Sequence, residues 1–137
     1  MHGRERKNWP ETAMKLALDI ADCRSEDPWI QVGAAAIKFD KGIVVGYNGP
    51  PTGVDIDWSN RDERRPFVLH AEENVLSNVK RGEVEILAVT HLPCNKCMST
   101  IAQKGIRVVY YHDFLENYDK ELTFKMADKF QIKLIQL

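Results

Sequence analysis

Helical and extended segments alternate along the second half of the chain almost without interruption. Residues 69–82, LHAEENVLSNVKRG, have the periodicity of a helix with Gly82 at its end, and residues 85–92, EILAVTHL, read as a strand. The same order recurs in four further segments: a helix at 95–105, a strand at 106–112, a helix at 117–129 and a strand at 132–137. Strands separated by helices in this way are typical of parallel neighbours joined by right-handed crossovers. This half of the chain is therefore predicted to form a parallel sheet covered by helices.

The first half of the chain begins with a helix and a hairpin. Residues 10–23, PETAMKLALDIADC, place apolar side chains at helical spacing. Cys23 lies on the apolar side of this helix and is predicted to be a core residue. Within residues 32–48, the turn letters DKG separate two strands and predict an antiparallel hairpin.

Together these segments predict an α/β protein of one domain, residues 1–137, because the sequence contains no internal repeat and no linker. The predicted order is α-ββ-α-β-α-β-α-β. It gives a three-layer α/β/α fold in which a five-stranded mixed sheet is flanked by helices. Residues 48–66 form the longest stretch without a regular pattern. A structureless loop of this length is usually functional, and a mobile surface loop is the alternative.

Composition and charge narrow the classes of function. Hydrophobic residues make up 44% and charged residues 28% of the sequence, ordinary values for a soluble globular protein. No apolar run approaches the roughly 20 residues of a membrane span, and the polar first residues lack the apolar region of a secretory signal. The 19 basic and 20 acidic residues give a net charge of −1, which argues against a polynucleotide-binding surface. A cytoplasmic protein is expected, with its cysteines reduced rather than paired in disulfides.

Two polar residues of the predicted helix 69–82 need partners. His70 and Glu72 lie among apolar residues suited to a buried helix, where unpaired polar or charged groups are costly. Farther along, Cys94 and Cys97 stand at the start of the next predicted helix, so both sulfurs can face the same side. One histidine and two cysteines make three zinc ligands, and a tetrahedral zinc then keeps one position open for water, as catalytic sites do. His70, Cys94 and Cys97 are therefore predicted to bind one Zn²⁺ per chain.

Glu72 is predicted to lie beside the metal without binding it. Side chains two positions apart in mid-helix point about 200° apart, so His70 and Glu72 can converge only where a helix begins. We expect the helices that follow His70 and Cys94 both to direct their N-termini at the site. A redox-active cysteine pair is one alternative. A structural zinc site with a fourth ligand is another, and the spare candidates for that ligand are Cys23, His91, His112 and His2.

The letters HAE at residues 70–72 and PCNKC at residues 93–97 resemble the H-x-E…P-C-x-x-C signature of the zinc-dependent cytidine and deoxycytidylate deaminase superfamily. The segments RSEDPWIQVGAAAI, VVGYNGPPTG and IAQKGIRVVYY extend the resemblance to the deoxycytidylate (dCMP) deaminases over nearly the whole chain. Two departures affect local contacts: Glu73 stands where relatives often carry leucine, and Pro50 precedes the expected Pro51. The resemblance implies a cytidine-deaminase-like fold.

The resemblance also implies an activity and an assembly. The reaction would convert dCMP and water to dUMP and ammonia, which supplies thymidylate synthesis. Zinc would activate water for attack on C4 of the cytosine ring, with Glu72 as base and then as acid. A homohexamer in the cytoplasm is implied, or in the host cytoplasm if a phage encodes the chain. Trp29, Trp58 and Phe67 flank polar loops and are the large apolar residues that such an assembly could cover.

Several residues outside the signature are expected to bind the nucleotide. Asn48, which ends the second predicted strand, resembles the family's asparagine that contacts the sugar. Arg24 and Ser25, just past the first helix, are candidates for the 5′-phosphate, and a solvated helix end is an equal alternative. The candidates for the base are Ala71 of the signature and one stacking aromatic residue, which is Tyr118 ahead of its rivals Phe114 and Tyr111.

The segment GYNGPPTG and the loop after it resemble the region in which dCMP deaminases bind a regulatory nucleotide. The resemblance implies activation by dCTP and inhibition by dTTP, with Mg²⁺ on the triphosphate. The glycines would let the backbone approach a ligand and the prolines would stiffen the path, unless both only turn the chain. The expected effector residues are Gly46, Tyr47, Asn48, Gly49, Pro51, Gly53 and Asn74, with Arg61, Arg64, Arg65, Lys80 and Arg81 within reach of a triphosphate.

Other functions stay open on the sequence alone. The chain could be a deaminase of free cytidine or deoxycytidine, of tRNA adenosine, or of a pterin-like or riboflavin-precursor ring. The charge balance argues against a tRNA substrate, and a free nucleoside would need no phosphate site. A non-catalytic, zinc-stabilised binding module is the alternative from another class. Against it, a structural metal needs no carboxylate such as Glu72 beside it.

Overall fold

Each predicted helix and strand has a counterpart in the computed structural model, which describes residues 2–116 and 119–137. The helices of this part of the chain are α1 (Trp9–Arg24), α2 (Arg61–Phe67), α3 (Ala71–Leu76), α4 (Asn95–Gln103) and α5 (Lys120–Phe130). The strands are β1 (Gly33–Lys38), β2 (Ile43–Tyr47), β3 (Val84–His91), β4 (Val108–Asp113) and β5 (Lys133–Gln136). Within the described residues, no helix combines the length and the apolar character that crossing a membrane requires.

The strands form one mixed sheet in the order β2-β1-β3-β4-β5. Strand β1 runs antiparallel to β2 and to β3, whereas β4 runs parallel to both β3 and β5. The predicted hairpin and the predicted parallel crossovers are therefore confirmed. The same topology brings the carboxyl ends of β2, β3 and β4 to one edge of the sheet, where Asn48, Leu92 and Phe114 follow them. Ligand sites of open α/β sheets lie at such an edge.

Helices cover both faces of this sheet. Successive residues of β1 point to opposite faces, as strand geometry requires. Ala35 and Ile37 pack with Met14 and Ala17 of α1 in one apolar cluster. The cluster on the other face joins the sheet to α3, α4 and α5, and its buried residues include Ala36, Val75, Leu87, Met98, Ile101, Val109 and Ala127. The three-layer α/β/α arrangement predicted from the sequence is confirmed.

Helix α3 is shorter than the sequence predicted. The expected helix covered residues 69–82, but the observed one spans Ala71–Leu76. Just past its end, the Ser77 hydroxyl and the Asn78 amide both donate hydrogen bonds to the Asn74 carbonyl oxygen, at 2.9 and 3.0 Å. Such side chains compete with the helical backbone for its carbonyl groups, and here they accompany the turn that ends the helix.

Helix α2 lies inside the stretch that the sequence predicted to be irregular. Its sequence, RDERRPF, has no apolar periodicity, and so the pattern did not indicate a helix there. Asn60 precedes the helix, and its Oδ1 accepts a hydrogen bond from the Asp62 N–H at 3.1 Å. The Arg64 N–H donates to the Asn60 carbonyl oxygen at 3.0 Å, which closes the first helical turn.

Cys23 is exposed, so its prediction as a core residue was wrong. It lies in the last turn of α1, where the buried residue is Ala21. Side chains two positions apart on a helix point about 200° apart, and Ala21 is the one that faces the sheet. Cys23 therefore points away from the core.

Gly33, the first residue of β1, lies against the backbone of α1. A Cβ atom at Gly33 would lie 2.0 Å from the Ala17 carbonyl oxygen and 2.9 Å from the Ala21 nitrogen. We expect Gly33→Ala to lower the free energy of unfolding by at least about 1–3 kcal/mol, the usual cost of overpacking, because a helix backbone cannot move aside as a side chain can. Urea denaturation measures this change. Gly3→Ala is the control, since a Cβ at Gly3 meets nothing within 4 Å, and equal loss in both variants would contradict the prediction.

Candidate active site

Two helices begin at the same place in the fold. His70 immediately precedes α3 and Cys94 immediately precedes α4, each with an extended backbone. The His70 N–H donates to Glu73 Oε1 at 3.1 Å, which secures the start of α3. Cys97 is buried in the first turn of α4. The start of each helix thus carries its signature residues, as the sequence led us to expect.

The side chains of His70, Cys94 and Cys97 form a compact donor cluster. His70 Nδ1 lies 3.2 Å from Cys97 Sγ and 3.5 Å from Cys94 Sγ, and the three potential ligand atoms all lie within 4.8 Å of one another. Bonds of about 2.3 Å from zinc to sulfur and about 2.0 Å to nitrogen, at tetrahedral angles, imply a separation of about 3.5 Å between sulfur and nitrogen. Among the residues that the structure describes, no other His, Cys, Asp or Glu joins this group. The donor set fits a zinc ion with three protein ligands.

Hydrogen bonding shifts the pKa values of the Cys94 and Cys97 thiols in opposite directions. The hydrogen bond between them, followed by one from His70, lowers the pKa of Cys94 and so favours its thiolate form. The same interaction, together with burial, raises the pKa of Cys97. The hydrogen bond with Cys94 raises the pKa of His70 to about 9. Because the thiolate is the form that binds metals, the lowered pKa of Cys94 suits its role as a ligand.

Glu72 is buried next to this cluster, with only 4% of its surface exposed. Burial disfavours its charged form and raises the pKa of its carboxyl group to about 7. A carboxyl group with a pKa near neutrality can both accept and release a proton at neutral pH.

His70, Ala71 and Glu72 line a cavity of about 420 Å³. Small-molecule sites in proteins commonly enclose about 300–1,000 Å³, so the cavity can hold a nucleotide-sized ligand. Its other walls come from the loop before β1, the residue after β2, helix α2, the end of β3 and the segment after β4. The cavity therefore lies at the sheet edge where the parallel strands end.

Asn48 lines the cavity, and its side-chain amide already forms three hydrogen bonds within the protein. Its Oδ1 accepts hydrogen bonds from the Val32 N–H at 2.9 Å and from the Ser25 hydroxyl at 2.5 Å. Its Nδ2 donates to the Ile30 carbonyl oxygen at 2.9 Å. Asn48 thus joins the end of β2 to the segment between α1 and β1, and one amide N–H is left for a ligand.

The two residues that the sequence favoured for the phosphate do not line the cavity. Arg24 is exposed in the last turn of α1. Ser25 caps the end of the same helix, and its hydroxyl is used on Asn48. Arg24 thus occupies a solvated helix end, whereas Ser25 is half-buried beside Asn48, and a role of either residue in phosphate binding stays a prediction.

The three aromatic residues that were candidates for stacking on the base differ in their positions relative to the cavity. Tyr118 lies outside the described residues. Phe114, which follows β4, lines the cavity. Tyr111 is buried with 5% of its surface exposed and packs edge-on against Phe114, with ring centres 5.4 Å apart. Among the described aromatic residues, Phe114 is the one at the cavity wall.

Gly46, one of the expected effector residues, makes its close approach to α3 rather than to open space. A Cβ there would lie 2.9 Å from the Ala71 carbonyl oxygen and 3.0 Å from Asn74 Cβ. Next to it, Asn74 Nδ2 donates a hydrogen bond to the Tyr47 carbonyl oxygen at 2.5 Å. The end of β2 is therefore fastened to α3, the helix that carries Glu72.

The remaining residues expected at the effector site are spread along the loop. Gly49 exchanges two backbone hydrogen bonds with Leu69, at 2.8 and 3.2 Å. Pro51 and Gly53 are exposed, and Gly53 has a φ of +82°, which favours glycine. Lys80 and Arg81 are exposed in the turn after α3. Of the expected effector residues outside α2, Asn48 alone lines the cavity in the described part of the chain.

Helix α2 brings three arginines to the cavity. From the sequence, these arginines were expected to bind an effector triphosphate. Arg61, Arg64 and Arg65 all line the same cavity as Glu72. They occupy positions i, i+3 and i+4, which share one face of a helix. The spacing can be read from the letters RDERR, but it places the arginines on one face only if the segment is a helix, and the sequence did not predict a helix there.

Comparisons with known proteins agree with this geometry. The model of the cytidine and deoxycytidylate deaminase zinc-binding region matches residues 7–113. The deoxycytidylate deaminases of mouse and human are each 38% identical to the chain over 135 residues, covering 87% of this chain and 75% of theirs. The crystal structure of dCMP deaminase from the cyanophage S-TIM5, in complex with dCMP and dUMP, is 28% identical, has a TM-score of 0.78, and covers 93% of this chain and 95% of that one. The chain therefore belongs to the cytidine and deoxycytidylate deaminase family, and within it to the deoxycytidylate deaminases.

Proposed function

We propose that this protein is a zinc-dependent deaminase that converts dCMP and water to dUMP and ammonia. The observation that carries the proposal is the buried Glu72 beside the His70, Cys94 and Cys97 cluster, in a cavity that fits a nucleotide. The similarity to mouse and human deoxycytidylate deaminases, and to a cyanophage enzyme with dCMP and dUMP bound, supports dCMP as the substrate.

Each part of the site has a defined task in this reaction. His70, Cys94 and Cys97 would hold the zinc. When bound, zinc supplies Lewis acidity that makes a water molecule acidic near neutral pH. Glu72 accepts the proton of the attacking water, delivers it to N3 of the pyrimidine, and assists departure of the amine from C4. The raised pKa of Glu72 suits this double role, since the group must bind and release a proton within one turnover.

The cavity walls would orient the nucleotide. Phe114 lines the cavity and is a candidate to stack on the pyrimidine, and Tyr118 is the other candidate for this contact. The remaining N–H of Asn48 is available to the sugar, and Ala71 lies buried at the wall next to Glu72. These contacts would place C4 of the base at the zinc site.

The test is ammonia release from dCMP, dCTP, deoxycytidine and cytidine under identical conditions. We expect dCMP to react with the highest kcat/KM. A preference for a nucleoside or for dCTP would indicate another deaminase of the superfamily. If the zinc-loaded protein released no ammonia from any of the four, a non-catalytic binding module would be the better description.

We further propose that dCTP with Mg²⁺ activates the enzyme and that dTTP with Mg²⁺ inhibits it. The hydrogen bond from Asn74 to Tyr47 and the packing of Gly46 on α3 support a link between the GYNGPPTG segment and Glu72. Coupling between sites is usually about 1–3 kcal/mol, so each effector is expected to change the apparent affinity for dCMP roughly 5- to 150-fold. Saturation curves for dCMP at increasing effector concentration measure this. Curves that superimpose up to millimolar effector would contradict regulation.

A homohexamer acting in the cytoplasm completes the proposal. Trp29 and Phe67 leave 66% and 49% of their surfaces exposed, and Trp58 is half-buried, with its carbonyl oxygen 3.5 Å from Trp29 Nε1. Large exposed apolar residues of this kind often mark subunit contacts. Sedimentation at micromolar concentration tests the assembly, and a single species of 15.7 kDa would contradict it.

A further inference from the structure

Three arginines of α2 line the cavity, and the described side chains form no ion pair with them. Arg61, Arg64 and Arg65 share one face of the helix and line the cavity. Among the side chains that the structure describes, the ion pairs are Lys15–Asp19, Lys38–Glu83 and Lys41–Glu85, and none involves these arginines. Like charges at these spacings repel one another, so the helix face would gain from a bound anion.

Of the three arginines of α2, Arg64 is the one that is half-buried. Its Nη1 atom is buried with no hydrogen-bond partner among the residues that the structure describes. Its guanidinium carbon lies 5.8 Å from the centre of the Trp29 ring, which holds the group by a cation–π contact. A buried donor left unpaired is costly, and such a group in a ligand cavity is satisfied when the ligand supplies an acceptor.

The acidic residues that line the cavity do not form described ion pairs with the arginines of α2. Asp27 Oδ1 accepts hydrogen bonds from the backbone N–H groups of Trp29 and Ile30, at 2.8 and 3.3 Å, and so holds the turn that carries Trp29. Glu72 lies at the donor cluster, and Glu116 is exposed after β4. None of these carboxylates forms a described ion pair with α2.

We infer that α2 binds the 5′-phosphate of the substrate, with Arg64 as the principal contact and Arg61 and Arg65 beside it. The inference rests on the proposed deamination of dCMP and replaces the end of α1 as the phosphate site. Guanidinium groups offer paired N–H donors that match phosphate oxygens, and a dianion neutralises the clustered charge. Helix α2 thereby selects a nucleoside monophosphate over the free nucleoside.

Arg64→Gln tests this directly, because glutamine keeps a polar side chain but loses the charge and the forked donors. The ratio of kcat/KM for dCMP to kcat/KM for deoxycytidine is expected to fall roughly 10- to 150-fold, the loss that follows removal of a hydrogen bond to a charged group. Arg64→Lys, which keeps the charge, should recover part of the ratio. Arg4→Gln, at an exposed position near the N-terminus, is the matched control. An unchanged ratio in Arg64→Gln, or a collapse of the ratio in Arg24→Gln instead, would overturn the inference.

Binding of the product separates this inference from the proposed reaction. Calorimetry with dUMP and deoxyuridine needs no turnover, and the wild-type protein is expected to bind dUMP at least 10-fold more tightly, an advantage that Arg64→Gln removes. If the wild type binds both equally, the phosphate site is not there. If dUMP binding depends on Arg64 but no substrate releases ammonia, the phosphate site stands and the proposed reaction fails.

Discussion

Glu72→Gln is expected to lower dCMP turnover by at least about 10²- to 10⁴-fold, while zinc content and the free energy of unfolding stay close to those of the wild type. The reason is that glutamine preserves the shape of this buried side chain but can neither take up nor deliver the carboxyl proton. In the wild-type protein, burial raises the pKa of Glu72 to about 7, which makes the group a reversible proton carrier at neutral pH. Single-turnover assays with excess enzyme measure the loss.

Glu116→Gln is the matched control for this result. Glu116 lines the same cavity, but it is exposed, so the same change of charge is made at a carboxylate that is in contact with solvent. It should keep most of the wild-type rate. A Glu72→Gln protein that retained more than about a tenth of the wild-type rate would show that another group moves the proton.

Cys94→Ala is expected to abolish stoichiometric zinc binding and, with it, dCMP turnover. Even partners that only orient metal ligands contribute about 10- to 100-fold in affinity, so loss of a direct ligand should exceed that. Hydrogen bonds from Cys97 and His70 also lower the pKa of Cys94, which favours the thiolate that a metal ligand requires. Metal analysis after dialysis should find one zinc per wild-type chain and much less in the variant.

Cys23→Ala controls for removal of a thiol as such. Cys23 is exposed in α1 and is no part of the donor cluster. Its replacement should leave zinc content at one per chain. Normal zinc in Cys94→Ala, or two zinc ions per wild-type chain, would contradict the three-ligand site.

The architecture was predictable because it depends on local patterns and on a topological rule. Apolar periodicity located β3, β4 and β5 and the helices between them, and right-handed crossovers then leave parallel strands as the natural arrangement. The donor cluster was predictable for a similar reason. His70 and Cys94 each begin a helix, and Cys97 is one turn farther on, so local geometry already points the side chains toward a common site.

The roles of residues far apart in sequence were not predictable in this way. Arg24 and Ser25 have the right chemistry for phosphate, yet Arg24 is exposed at the end of α1 and the Ser25 hydroxyl is bonded to the Asn48 side chain. Gly46 has the freedom to approach a ligand, but α3 occupies the space next to it. In both cases the residue type was informative, and the neighbours that decide its use come from other elements.

The sequence by itself determined the order of the elements, the layered α/β/α class and the chemistry of the His70, Cys94 and Cys97 cluster, since each follows from periodicity or from short spacing. Only the tertiary structure decided that the side-chain amide of Asn48 forms hydrogen bonds with Val32, Ile30 and Ser25. Only the tertiary structure also turned Arg64 toward the cavity that Asn48 lines. The physical reason is that burial and hydrogen-bond partners are properties of the packed sheet edge, where segments distant along the chain meet, and no local pattern records which segments those are.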